Sequence, residues 1–126
     1  GSEYIGIGLT LYIDQEAAEL MISSVIPGSP AELAGLIVGD IIEKIDGSKT
    51  QGIGVAKAAQ LIKGKEGTKV KLSIVKIDGK KSDVVLKRSR IFIKNTNPFN
   101  ILPRGFFKRF GEPKMDAMPG RSSLEI

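Results

Sequence analysis

Only one stretch of this chain repeats its apolar residues at helical period. Val55, Ala58, Ala59 and Ile62 stand at i, i+3, i+4 and i+7, and Gly64 follows as the expected C-cap. Elsewhere apolar positions alternate over short runs and are cut by turn pairs such as Pro27-Gly28, Asp46-Gly47 and Asp78-Gly79. A chain punctuated in this way cannot build a helical bundle or a doubly wound α/β sheet. It can build short antiparallel strands with one helix of moderate length packed against them.

The runs follow one another in a readable order. Ile7-Gly8-Leu9-Thr10-Leu11-Tyr12-Ile13 places Ile7, Leu9, Leu11 and Ile13 on one face at period two. Leu20 to Ile26 reads as a second strand, stopped by Pro27-Gly28, and a hairpin is the simplest link between the two. Ser29-Pro30-Ala31-Glu32 sets an N-cap serine before a proline at the first helical position, with an acid three residues after the cap, so a short helix ending at Gly35 is expected. Ile41 to Ile45 is a strand turned by Asp46-Gly47, Val70 to Ile74 and Val84 to Leu86 are partner strands, and Arg90 to Ile93 adds a last extended segment. The expectation is an α+β, partly open small β-barrel of five or six strands with one short and one longer helix.

Composition narrows the chemistry. Histidine, cysteine and tryptophan are absent. That excludes a serine-histidine-aspartate triad, a cysteine-histidine nucleophile, zinc held by histidine or thiolate, and disulfides. Ser73 and Lys71 alternate on one strand and point to opposite faces, so they form no catalytic dyad. No enzyme activity, no cofactor and no metal are expected. Residues 1 to 93 carry 13 basic and 11 acidic side chains, a balance that lacks the footprint of nucleic-acid binding. No apolar run reaches the roughly 18 residues that span a bilayer.

The grammar changes near Lys94. Four of the five phenylalanines, Phe99, Phe106, Phe107 and Phe110, lie beyond it, as do prolines 98, 103, 113 and 119. The division is a domain over 3–93 and a basic, aromatic, proline-interrupted tail over 94–126, part of which reads as vector sequence. Phe106-Phe107-Lys108-Arg109-Phe110 makes a short amphipathic turn, too short to be expected to hold a membrane surface.

Gly6 and Gly8 allow successive backbone N–H groups to converge on one point, a nest suited to an anion such as a carboxylate; an ordinary glycine turn satisfies the same pattern. Longer motifs favour the nest. Tyr4-Ile5-Gly6-Ile7-Gly8-Leu9, Gly28-Ser29-Pro30-Ala31-Glu32-Leu33-Ala34-Gly35-Leu36, Val38-Gly39-Asp40-Ile41-Ile42 and Ile45-Asp46-Gly47 together resemble a PDZ domain of the circularly permuted bacterial type. Ile62-Lys63-Gly64, Glu66-Gly67-Thr68-Lys69-Val70-Lys71-Leu72 and Leu86-Lys87-Arg88-Ser89-Arg90-Ile91 are similar to stretches of the carboxyl-terminal processing, or tail-specific, peptidases. The resemblance covers about residues 4 to 93. It ends where those peptidases would continue into their serine-lysine catalytic core.

The resemblance implies a module that captures protein C-termini by strand addition. The residues it implies are Ile5, Gly6, Ile7, Gly8, Leu9 and Leu11 from the loop and first strand, and Val55, Ala59, Ile62 and Lys63 from the helix. Val55, Ala59 and Ile62 fit equally as plain core residues. It also implies a protease domain in the parent protein and an extracytoplasmic location, in a bacterial periplasm or cell envelope; a free-standing scaffold that localises a partner by its C-terminus is the alternative. With apolar Val55 facing the ligand, the expected preference is hydrophobic, any residue, then a hydrophobic residue bearing the carboxylate. The chain's own Leu124-Glu125-Ile126 fits that pattern. A flexible tail of 33 residues spans about 30 Å, enough for Leu124 and Ile126 to reach the groove of the same or a neighbouring molecule.

Overall fold

The computed structural model describes residues 3–93 and 125–126. Its first strand, β1 (Glu3–Gly6), pairs antiparallel with the last, β8 (Ser89–Phe92), in a sheet of their own, with Tyr4 opposite Ile91 and Gly6 opposite Ser89. The remaining strands form an open six-stranded sheet: β2 (Leu9–Asp14), β3 (Glu19–Val25), β4 (Ile41–Ile45), β6 (Lys69–Val75) and β7 (Lys81–Lys87) in that order, with the short β5 (Ser48–Lys49) on β4. The class is the expected one. Among the described residues the strand count is eight, because the two- and four-residue strands β5 and β1 carry too little alternation to be read from sequence. The two sheets stay open, since β2 and β7 do not pair with each other.

Two turns and a bulge set the geometry. Gly8, at φ +92°, separates β1 from β2, so the expected strand beginning at Ile7 starts instead at Leu9. Asp46 and Gly47, both at positive φ, form the two-residue link of the β4–β5 hairpin, and the Asp46 carboxylate accepts the Lys71 N–H at 2.8 Å. Along β2 and β3 the register slips between Thr10 and Leu11, which pair with Ser24 and Ile22. The bulge leaves Ser23 unpaired in the ladder, and its hydroxyl meets that of Thr10 at 2.6 Å.

Helix α1 (Pro30–Leu33) begins as its sequence dictates: the Ser29 hydroxyl accepts the Glu32 N–H, and the Glu32 carboxylate accepts the Gly28 N–H at 2.9 Å. Helix α2 (Gly54–Ile62) ends differently from expectation. Its C-cap is Lys63, in an extended conformation, and Gly64 serves a close approach. A Cβ on Gly64 would lie 2.7 Å from the guanidinium carbon of Arg88. Arg88, buried, donates to the carbonyls of Ile62 at 2.7 Å and Lys69 at 3.1 Å and to the Thr68 hydroxyl at 2.9 Å. It thus supplies donors to a helix end whose own ladder has none.

The core lies between the six-stranded sheet and the helices. Ile7, Leu9, Leu11, Ile22, Ile42, Ile45, Leu72 and Ile74 from the sheet side meet Ala31, Ala58, Ala59 and Ile62 from the helix side, all nearly inaccessible. Asp40 is buried before β4, where one carboxylate oxygen accepts the Ile37 N–H at 3.0 Å and the Lys76 ammonium at 2.6 Å. That pair ties the loop after α1 to the β6–β7 hairpin.

Candidate functional site

β2 stands at the end of its sheet, so only one of its edges is used by β3. The other edge is held open by the loop Gly6-Ile7-Gly8-Leu9, whose shape depends on Gly8. A Cβ there would fall 2.1 Å from the Ser29 Cβ, and Ser29 also donates its hydroxyl to the Gly8 carbonyl. With the backbone fixed in this way, the Gly8 and Leu9 N–H groups point to one place.

The last two residues of the chain occupy that place. One carboxylate oxygen of Ile126 accepts from Gly8 N at 2.8 Å and Leu9 N at 2.9 Å, and Ile126 N donates to the Leu9 carbonyl at 2.9 Å. Glu125 bridges antiparallel to Thr10. The segment therefore adds to β2 as one more short strand. Ile126 is fully buried, within the cluster that holds Ile7, Leu9, Leu11, Ala59 and Ile62. Burying such a side chain contributes about 1.5–3 kcal/mol, and each main-chain hydrogen bond adds about 1 kcal/mol.

The residues singled out in the sequence divide accordingly. Gly8 and Leu9 hold the seated chain end directly, and Ile7 and Leu11 contribute buried side chains to the cluster around it. Ala59 and Ile62 are buried on the inner face of α2, and half-buried Val55 packs against the same cluster. These side chains thus belong to the core cluster in which Ile126 is also buried. Gly6 works by having no side chain: a Cβ on it would stand 2.8 Å from the terminal carbon of Ile126. Ile5 sits on the face of β1 opposite to Gly6, paired with Arg90, and strand alternation turns it from the seated residue. Lys63 is the exposed C-cap of α2, its N–H given to Ala59, and it makes no ion pair among the described residues. Leu124 lies outside the described residues.

Three contributors went unnoticed in the sequence. Thr10 pairs through its backbone, which side-chain periodicity does not report. Ser29 locks the Gly8 turn from a distance of 21 residues. Tyr4 shares the Gly6 face of β1 and brings its ring edge 2.9 Å from the point a Gly6 Cβ would take. Burial, and secondarily the charge of Glu125, push its phenol well above the usual tyrosine range.

The comparisons with known proteins agree with this geometry. Residues 21–76 match the family profile described as PDZ domain. The chain is 39% identical over 84 residues to the carboxy-terminal processing protease CtpA of Bacillus subtilis, covering 67% of this chain and 18% of that protein. It is 34% identical over 93 residues to a probable CtpA-like serine protease of Staphylococcus haemolyticus, covering 74% and 18%. The chain thus spans 18% of the length of these curated relatives. Among solved structures, the PDZ domain of the carboxy-terminal protease from Vibrio cholerae, in complex with peptide, superimposes with a TM-score of 0.64 at 31% identity, over 72% of this chain and 99% of that one. The photosystem II D1 C-terminal processing protease gives a TM-score of 0.66 at 26% identity, over 75% and 25%. With the open β2 edge, the two-glycine loop and the apolar helix face in place, this chain belongs to the PDZ domain family and is related to the PDZ domains of carboxy-terminal processing proteases.

Proposed function

We propose that the domain captures protein C-termini that end in an apolar residue, adding them as a strand to β2. The observation that carries this reading is the seat of Ile126: two N–H groups converge on one oxygen of its carboxylate while its side chain is buried with Ala59 and Ile62. Ile126 stands where the final residue of a ligand would lie. Apolar Val55 at the first turn of α2 supports a second apolar preference two residues before the ligand's end. Main-chain pairing supplies affinity with little regard to sequence, and the two apolar positions supply selection.

The relationship to carboxy-terminal processing proteases supports a place for this module in a larger serine-type protease, where it would recognise substrate tails and help regulate a catalytic domain encoded in the same protein. The module itself takes no part in catalysis on this reading, and the parent protein acts in a bacterial periplasm or cell envelope. A free-standing adaptor would use the same groove; a peptidase domain encoded in the same open reading frame decides between them.

The test is a titration of the Ile126→Asp variant, whose groove no longer holds its own apolar end, with labelled peptides. Peptides ending in Leu-x-Ile with a free carboxylate should bind at least about tenfold tighter than the same peptides ending in Asp or in a C-terminal amide. Equal affinity for all three overturns the reading.

A further inference from the structure

The six-stranded sheet has two ends. β2 is one, and its open edge carries the groove; β7 is the other, and among the described residues no strand pairs with its far edge. Hydrogen-bond alternation says which groups that edge presents. The Lys76 N–H donates to the Lys80 carbonyl and the Arg88 N–H to the Thr68 carbonyl, both at 2.8 Å, so the residues of β7 that bond to β6 between these points are Ser82, Val84 and Leu86. The N–H and C=O groups of Asp83, Val85 and Lys87 therefore point off the open edge. Their side chains share the outer face: Val85 is 60% exposed, and Asp83 and Lys87 are exposed and make no ion pair among the described residues. Within one strand these two charges stand about 13 Å apart, too far to neutralise each other. Helix α1 passes close to β7 and carries Leu33, an apolar side chain left exposed.

We propose that the open edge of β7 is a self-association surface, and that its occupant is the β7 of a second copy of this chain, paired antiparallel about a two-fold axis through Val85. In that register Asp83 of each copy stands across from Lys87 of the other, and the two Val85 side chains meet between the ion pairs. Every outward N–H and C=O from Asp83 to Lys87 finds a partner, about six main-chain bonds in all. The Lys87 carbonyl already accepts the Ser89 hydroxyl at 3.2 Å and keeps a second lone pair for this bond. Neighbouring registers lose the match. Centring on Asp83 sets the two Asp83 carboxylates face to face, centring on Val84 sets Lys81 against Lys87, and centring on Leu86 leaves Asp83 opposite Ser89. Charges on an edge ordinarily deter pairing; here their order, acid, apolar, base, deters the neighbouring registers and favours this one. The pairing does not depend on peptide binding. Because β2 lies at the other end of the sheet, it leaves both grooves open, and the dimer presents two of them.

Sedimentation equilibrium of the full chain should show a monomer–dimer equilibrium in the micromolar-to-millimolar range of a small interface, and the Ile126→Asp chain should show the same one. Lys87→Asp alone sets carboxylate against carboxylate at both ends of the pairing and should weaken the dimer at least about tenfold, as should Asp83→Lys alone; the two together exchange the charges and should return it to within about threefold of the parent. Val85→Pro removes a donor that β6 does not use, so it should abolish the dimer while the β6–β7 ladder persists by NMR. Hydrogen exchange needs no variant: protection of the Asp83, Val85 and Lys87 amides should grow with protein concentration, whereas the Ser82, Val84 and Leu86 amides should be protected throughout. A chain that stays monomeric at about 1 mM overturns the proposal, as does a double exchange that leaves the dimer as weak as either single variant. Loss of the dimer with Ile126→Asp assigns association to a chain end seated in a neighbour's groove. Concentration-independent protection of Asp83 and Val85 in a monomer assigns the edge to the chain's own segment 94–124. Either result refutes the β7 pairing.

Discussion

Replacing Gly6 with alanine separates the groove from the fold. Gly6 is not among the glycines held at positive φ, so its backbone accepts a side chain, and the cost falls on what the new methyl would meet. That is the terminal carbon of Ile126 at 2.8 Å and the Tyr4 ring at 2.9 Å. Unbonded carbons settle at about 3.5–4.0 Å, so a chain end in the groove must retreat by roughly 0.7 Å or more. The bonds from Gly8 and Leu9, now 2.8 and 2.9 Å, would stretch to the limit of useful geometry. Losing most of two bonds to a carboxylate costs about 2–4 kcal/mol, or roughly thirtyfold to a thousandfold in affinity. The stability of the domain should fall by no more than about 1 kcal/mol, since the half-buried Tyr4 ring can swing aside. Fluorescence anisotropy with a Leu-Glu-Ile peptide, with parent and variant both carrying Ile126→Asp so that the tethered end does not compete, reads the first number, and urea unfolding followed by circular dichroism reads the second. A double variant, Gly6→Ala with Tyr4→Ala, removes the ring clash and should still bind poorly. A folded Gly6→Ala that binds within threefold of the parent refutes the proposed geometry.

Other outcomes follow from the same contacts. Arg88→Ala strips donors from the Ile62 and Lys69 carbonyls and the Thr68 hydroxyl, and should destabilise the fold by about 2–4 kcal/mol in urea unfolding, with Arg88→Lys failing to restore it. Lys76→Met leaves the buried Asp40 carboxylate without its cation and should cost about 3 kcal/mol, a loss that a double-mutant cycle with Asp40→Asn should show to be strongly coupled. Ile62→Ala opens a cavity shared by core and groove, so both unfolding free energy and peptide affinity should drop, the former by about 2–4 kcal/mol. Ile126→Asp should raise the apparent affinity for added peptide, because the tethered Ile126 competes at an effective concentration on the order of millimolar; unchanged affinity removes Ile126 from the groove in solution.

Much of this was legible in the sequence because it was local. The Ser29-Pro30-Ala31-Glu32 cap, the Asp46-Gly47 hairpin link and the Val55 to Ile62 stripe each rest on neighbours within a few positions, and each appears as read. What escaped was non-local or carried by backbone. Gly64 looks like a helix stop, yet it is glycine to admit Arg88, 24 residues on, and only the folded chain brings the two together. The bulge at Thr10 depends on β3, and the four residues of β1 depend on β8 for their pairing. In the groove, alternation identified Ile7, Leu9 and Leu11 but could not distinguish a residue that binds by its side chain from one, such as Thr10, that binds by its main chain. The resemblance implied Ile5 for the groove as well, and in the structure β1 turns Ile5 to the other face.

The central claim, strand addition of a C-terminus to β2, is tested most directly by amide chemical shifts. An isotope-labelled Ile126→Asp chain titrated with a peptide ending in Leu-Glu-Ile should show saturable shifts at the Gly8 and Leu9 amides, at Thr10 and at the Ile62 methyl groups, and a C-amidated peptide should produce little change at equal concentration. Shifts gathered instead around the exposed Leu33, Ile37 and Val38, or identical for acid and amide, would contradict it.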